Sequence, residues 1–106
     1  MINKLNGVDY KSINVNEIDS IIDKLSLIDI REPEEYTKGH LPTAKNIPMK
    51  ELVEFADDYL DKSKEYHIVC QAGGRSARMC RFLSSNGFNV VDVAGGTMGY
   101  KGNVTK

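Results

Sequence analysis

Short apolar runs alternate along this chain with stretches in which apolar residues recur at helical spacing. Tyr10 to Ile13 reads as a short strand. Asn14 then caps a helix, with Glu17 completing the cap and Ile18, Ile21 and Ile22 on one face. Leu25 to Ile30 is a buried strand that opens onto the polar edge Asp29-Ile30-Arg31. Pro33 suits the first turn of a helix through Glu34, Glu35 and Tyr36, which Gly39 stops. Lys45 to Ile47 is a brief strand between Pro42 and Pro48, and Leu52, Val53, Phe55, Ala56, Tyr59 and Leu60 recur as a helix does. Tyr66 to Cys70 is the next strand, Ala77 to Asn86 the next helix, ended by Gly87, and Asn89 to Val93 the last strand. Gly95-Gly96 then turns into a short final segment.

Strands alternating with helices imply an α/β fold, a parallel sheet covered on both faces. In such sheets ligands bind beyond the carboxyl ends of the strands. Cys70 and Asp29 both fall at such ends, which brings them to one edge. Without repeats, linkers or low-complexity tracts, the 106 residues are expected to form one domain, 1–106.

Composition removes several function classes. Lys and Arg number 14 against 15 Asp and Glu, which leaves no basic field for nucleic acid or an anionic membrane. No apolar run approaches a bilayer span, and Met1 to Tyr10 is polar, unlike a secretory segment. Two cysteines, Cys70 and Cys80, form neither a disulfide framework nor a metal-ligand spacing. A cytoplasmic, cofactor-free and metal-free protein is the expectation.

The chemistry concentrates in Cys70-Gln71-Ala72-Gly73-Gly74-Arg75-Ser76. A cysteine at a strand end, a glycine-softened loop and a helix N-terminus together make a cradle for a sulfur anion. Inward-facing amides and the helix dipole favour thiolate over thiol. Gly73 and Gly74 are expected to allow the backbone angles that turn those amides inward.

The chain also resembles a single-domain rhodanese, a thiosulfate sulfurtransferase. The likeness runs from Leu27-Ile28-Asp29-Ile30-Arg31 through Glu35-Tyr36, Gly39-His40-Leu41-Pro42, Ala44 and Asn46-Ile47-Pro48 to the cysteine loop and Gly95-Gly96. It implies a five-stranded parallel sheet with helices on both faces, and a persulfide on Cys70 during turnover. Where many members carry tryptophan after the last glycine pair, this chain has Thr97, Met98 and Tyr100, a change at the pocket rim.

On this reading Cys70 takes the sulfane sulfur of a small-molecule donor such as thiosulfate and passes it to cyanide or a thiol, with a sulfur-relay protein compatible as acceptor. The amides of Gln71 to Ser76 stabilise both anions, and a preformed thiolate needs no separate base. Three alternatives stand beside it. Cysteine-dependent phosphatases and arsenate reductases use a longer loop; four residues separate Cys70 from Arg75 here, the phosphatase signature has five, and Val69 stands where that signature has histidine. A non-catalytic binding module of the same fold would usually lack Cys70.

Arg75 has two readings, binding the anionic donor or bridging to Asp29 to brace the loop. Asp29 and Arg31 are expected to organise the edge, with Arg31 adding positive potential at the mouth. Cys80 shares a helix face with Ala77 and Leu83 and reads as core. His40 in its turn, and His67 on the strand face opposite Cys70, read as structural. Arg78, Arg81, Asp57, Asp58 and Asp61 read as solvated helix faces.

Overall fold

The computed structural model describes residues 2–5 and 8–106, with side chains from Tyr10 onward; Met1, Asn6 and Gly7, part of the polar start expected to lack a secretory segment, lie outside the described residues. Among the described residues six strands form one sheet in the order β1-β2-β6-β5-β3-β4. They are β1 (Ile2–Leu5), β2 (Val8–Asn14), β3 (Leu27–Asp29), β4 (Lys45–Asn46), β5 (Glu65–Val69) and β6 (Asn89–Ala94). From β2 to β4 every neighbouring pair is parallel, which gives the five-stranded parallel sheet. β1 is an addition at the edge, antiparallel to β2 with Ile2 opposite Lys11. A single apolar residue at each end of Ile2–Leu5 is too short a pattern to separate from a polar tail.

Strand alternation assigns the two faces. On one, Ile28, Ile30, Ile68, Cys70 and Val90 pack against Leu52, Met79, Cys80 and Leu83. Those residues come from α2 (Met49–Glu54) and α4 (Gly74–Ser85), with α3 (Ala56–Tyr59) on the same side. On the other face Leu27, Val69 and Val93 meet Val15, Ile18, Ile22 and Leu41, with Tyr36 of α1 (Pro33–Thr37) against them. No helix among the described residues is long and apolar enough to cross a membrane.

Three elements differ from the sequence pattern. The helix expected after Asn14 is two separate 3₁₀ turns, Val15–Glu17 and Ile22–Lys24. Asn14 does cap, its side chain accepting from the Asn16 amide at 2.9 Å. The segment is rich in β-branched isoleucine, which resists helix propagation, and it buries Ile18 and Ile22 while leaving Ile21 exposed. The helix expected over Leu52 to Leu60 breaks at Phe55, whose φ of −127° and ψ of 36° interrupt it. Finally, α4 starts at Gly74 rather than Ala77, because Gly73 turns the chain at a φ of 114°. Arg75 and Ser76 therefore belong to the first helical turn rather than to the loop.

Candidate active site

The carboxyl edge of the sheet is where the chemistry collects. β5 ends at Val69, so Cys70 leaves the sheet with its side chain on the α4 face, only 1% exposed. Its Sγ accepts from the amide of Gly73 at 3.1 Å and from that of Ser76 at 3.3 Å. The Ser76 hydroxyl lies 3.4 Å from Sγ. Two backbone donors at the N-terminus of a twelve-residue helix thus converge on one sulfur, a fixed arrangement that stabilises negative charge there.

Only one of the two loop glycines is demanded by conformation. Gly73 sits at a φ of 114°, whereas a Cβ on Gly74 would meet nothing within 4 Å and its φ is ordinary. The expectation that both glycines turn the loop is corrected to Gly73 alone.

A third glycine, Gly96, does as much as Gly73. It opens α5 (Gly96–Gly99), whose first amides hold the loop from below: Thr97 donates to the Cys70 carbonyl at 2.8 Å and Met98 to that of Gln71 at 2.9 Å. Any Cβ on Gly96 would come within 2.6 Å of the Cys70 carbonyl oxygen.

Of the two readings left open for Arg75, the bridge to Asp29 is not what the structure shows. Asp29, fully buried, takes Arg31 instead: Arg31 Nη2 donates to Oδ2 at 2.8 Å and Nε to Oδ1 at 3.0 Å. A two-residue turn at the strand end lets this side chain fold back onto the carboxylate, and the Arg31 amide joins it at 3.0 Å. Arg31 also donates to the Gly39 carbonyl at 2.7 Å and to Gln71 Oε1 at 2.8 Å. Being 3% exposed and held by these partners, it organises the edge, and it also borders the hollow over the loop.

Arg75 grips Glu35 of α1 with two bonds of 2.9 Å. This guanidinium holds the Glu35 carboxyl down at about 2, and the carboxylate pushes Arg75 up in return. Glu35 simultaneously closes a capping box on the Glu32 amide at 3.0 Å. Its rank as the loop's anchor to α1 was not visible in a motif that is equally a good capping box.

Asp92 is the other residue that sequence reasoning passed over. It sits on β6 on the same face as Cys70, buried, and accepts from the Ser76 hydroxyl at 2.6 Å. Burial pushes its carboxyl upward, and the Ser76 bond pulls the other way. The signal was a carboxylate inside the valine-rich run Asn89–Ala94, where a strand covered on both faces is normally apolar and a charge needs a partner.

The remaining candidates keep their bland roles. Cys80 is fully buried, and burial drives its thiol far up. His40 stacks on Tyr36 with ring centroids 3.8 Å apart and pairs through its backbone with Thr105. His67 faces away from Cys70 beside Leu27 and Val91. Over the loop lies a shallow hollow of about 390 Å³ bordered by Glu35, Lys38, Gln71, Thr97, Met98 and Val104. Met98, in the region where many rhodaneses carry tryptophan, is 64% exposed on its rim.

Comparison with known proteins supports the fold. The Bacillus subtilis protein YtwF is 42% identical over 80 residues, covering 76% of this chain and 77% of its own. The Escherichia coli thiosulfate sulfurtransferase PspE is 40% identical over 70 residues, 65% of this chain and 67% of its own. The crystal structure of a rhodanese-related protein from Thermoplasma volcanium superposes with a TM-score of 0.82 at 36% identity, covering 91% of this chain and 98% of the other. The family model described as the rhodanese-like domain matches residues 14–103, the span that holds β3 to β6 and the whole cysteine loop, and the chain belongs to that family.

Proposed function

We propose that this protein is a sulfurtransferase that carries sulfane sulfur on Cys70. The observation behind it is the convergence of the Gly73 and Ser76 amides on a single sulfur at a helix N-terminus. These two donors stabilise the attacking thiolate; the persulfide that follows carries its charge one sulfur further out, where the other amides of the Gln71 to Ser76 segment would serve it. In the first half-reaction the Cys70 thiolate attacks the outer sulfur of thiosulfate. A Cys70–sulfur bond forms, the donor's sulfur–sulfur bond breaks, and its electron pair leaves with sulfite. In the second, cyanide or a thiolate takes the outer sulfur and the Cys70 thiolate is restored. No electrons enter or leave, and no cofactor takes part. The relative PspE is named for thiosulfate, which supports that donor. A small thiol or a sulfur-relay protein fits the second step as acceptor.

The test is an intact-mass measurement after incubation with thiosulfate, followed by addition of cyanide. One sulfur atom should be gained on Cys70 and released as thiocyanate. Cys70→Ser should abolish the gain with the fold intact, and Cys80→Ser should leave it unchanged. Hydrolysis of an aryl phosphate that depends on Cys70, without sulfur uptake, would overturn the reading in favour of phosphoryl chemistry.

A further inference from the structure

Three buried side chains, Cys70, Ser76 and Asp92, follow one another by short contacts behind the cysteine loop. Cys70 Sγ is 3.4 Å from Ser76 Oγ, and Ser76 Oγ is 2.6 Å from Asp92 Oδ1. Ser76 is fully buried and Asp92 is 6% exposed. The serine hydroxyl has one hydrogen to give. The Gly73 carbonyl at 3.1 Å is its other acceptor, and the shorter contact, to a carboxylate, wins it. Ser76 is then left as an acceptor toward Cys70, which a neutral thiol satisfies by donating.

We infer that Cys70, Ser76 and Asp92 form a proton wire, and that Asp92 is the positioning residue that receives the thiol's proton through Ser76. The transfer balances without any other reactant. The S–H bond breaks as a new O–H bond forms on Ser76, and the hydrogen already on Ser76 passes to Asp92 Oδ1. The products are a Cys70 thiolate and a neutral Asp92 carboxylic acid, so the charge in this compartment is unchanged at minus one. The two hydrogen bonds survive with their polarity reversed. Ser76 Oγ now donates to Sγ, giving the thiolate a third donor beside the two amides.

The surroundings suit a carboxyl that alternates between the two forms. Its burial favours the neutral acid. The titratable and charged groups about Asp92 are Tyr10 of β2 and Cys80 and Arg81 of α4, with Lys11, Glu17, Glu65 and His67 along the groove it lines. Burial holds both the tyrosine and the second thiol in their neutral forms, and Arg81 acts on Tyr10. Ser12 of β2 is the cross-strand neighbour of Asp92. Asp92 also lines a groove of about 810 Å³ with Tyr10, Ser12 and Ala77. That groove shares no residue with the hollow over the loop, so a proton delivered to Asp92 has a route to water separate from the substrate's.

This inference rests on the proposed role of Cys70 as nucleophile, and its test does not require sulfur transfer to occur. Site-resolved alkylation of Cys70 by iodoacetamide is followed between about pH 4 and 9 in the wild type, Asp92→Asn and Ser76→Ala. Two coupled groups sharing one proton give a two-step profile with a reactive shoulder on the acid side. Either substitution breaks the wire and should leave a single step, with reactivity falling about tenfold per pH unit below it. Near pH 5 the wild type should exceed both variants by about tenfold or more, and the double variant should match the singles. Profiles that coincide, or that shift along the pH axis without changing shape, would overturn the wire. Should Asp92→Asn not fold, carboxyl-carbon NMR of Asp92 in the wild type and Cys70→Ala decides the matter. A two-step titration must become one step, and identical titrations sink the proposal. Sulfur uptake with coincident alkylation profiles removes the wire alone, while a coupled profile without uptake removes only the sulfurtransferase reading.

Discussion

A methyl group on Gly96 would stand 2.5 Å from the Gln71 carbonyl oxygen, on a backbone already at a φ of 63°. Neither problem can be relieved without moving α5 away from the loop that its amides hold. Gly96→Ala should therefore cost about 2–4 kcal/mol and reduce sulfur uptake more than the stability loss explains, because the Cys70 carbonyl loses its support. Gly74→Ala is the control: with open space around its Cβ and an ordinary φ, it should be neutral or stabilise by up to about 1 kcal/mol. Thermal unfolding of the two variants side by side checks both, and equal losses would contradict the geometry. In sequence, Gly73-Gly74 and Gly95-Gly96 are two identical dipeptides. What separates their members is a backbone angle and the distance to a neighbouring carbonyl, neither of which composition encodes. The place of Cys70 in the fold was legible for the opposite reason, since a strand end and a glycine loop are visible in consecutive residues.

Between elements, the Arg75–Glu35 bridge ties the first turn of α4, just after the cysteine loop, to α1. Its carboxylate is about one third exposed, so water screens it and Glu35→Gln should cost well under about 1 kcal/mol. The pH dependence has a definite sign. Glu35 is held at about 2 in the fold against 4.5 ordinarily, so its contribution is whole above 4.5 and is lost as pH falls through 2. Urea unfolding of wild type and Glu35→Gln should differ by a constant amount near neutrality, and the gap should close in acid. A gap that widens in acid would contradict the pairing. The sequence placed Asp29 at the edge and left Arg75 two roles, of which a bridge to Asp29 is the one the structure does not show. Two arginines and two carboxylates meet there, and the choice is made by reach: Arg31 folds back two residues onto the buried Asp29, leaving Arg75 to span to α1. Such choices depend on where helices dock, as does the break at Phe55, whereas the capping signals at Asn14 and Pro33 act within a turn and were legible.

Across the whole molecule, the alternation of apolar runs and helical spacings was enough to give the parallel sheet, because a strand buried on both faces leaves a dense apolar signature. That same burial makes the exceptions energetically expensive, and His67 is one. It lies in the centre of the sheet, hydrogen-bonded through its backbone to Ser26, with its side chain 6% exposed and its Nδ1 without a partner among the described residues. Removal from water disfavours the imidazolium, so its pKa lies below the ordinary 6.5, with Glu65 opposing only in part. The unfolded chain then binds a proton that the fold refuses. As pH drops through 6.5 toward the folded value, stability is lost at up to about 1.4 kcal/mol per pH unit. Asp92 acts in the opposite sense, since a carboxyl raised by burial favours the fold as it becomes protonated in acid. The two are separable by substitution. His67→Leu keeps an apolar side chain between Leu27 and Val91 and removes the titration. Plotted as wild type minus variant, melting temperature should stay level above neutrality and decline steadily as pH is taken from about 7 to 5. A level difference throughout would mean that the fold accommodates the charged ring, and that the sheet's centre is better hydrated than its packing implies.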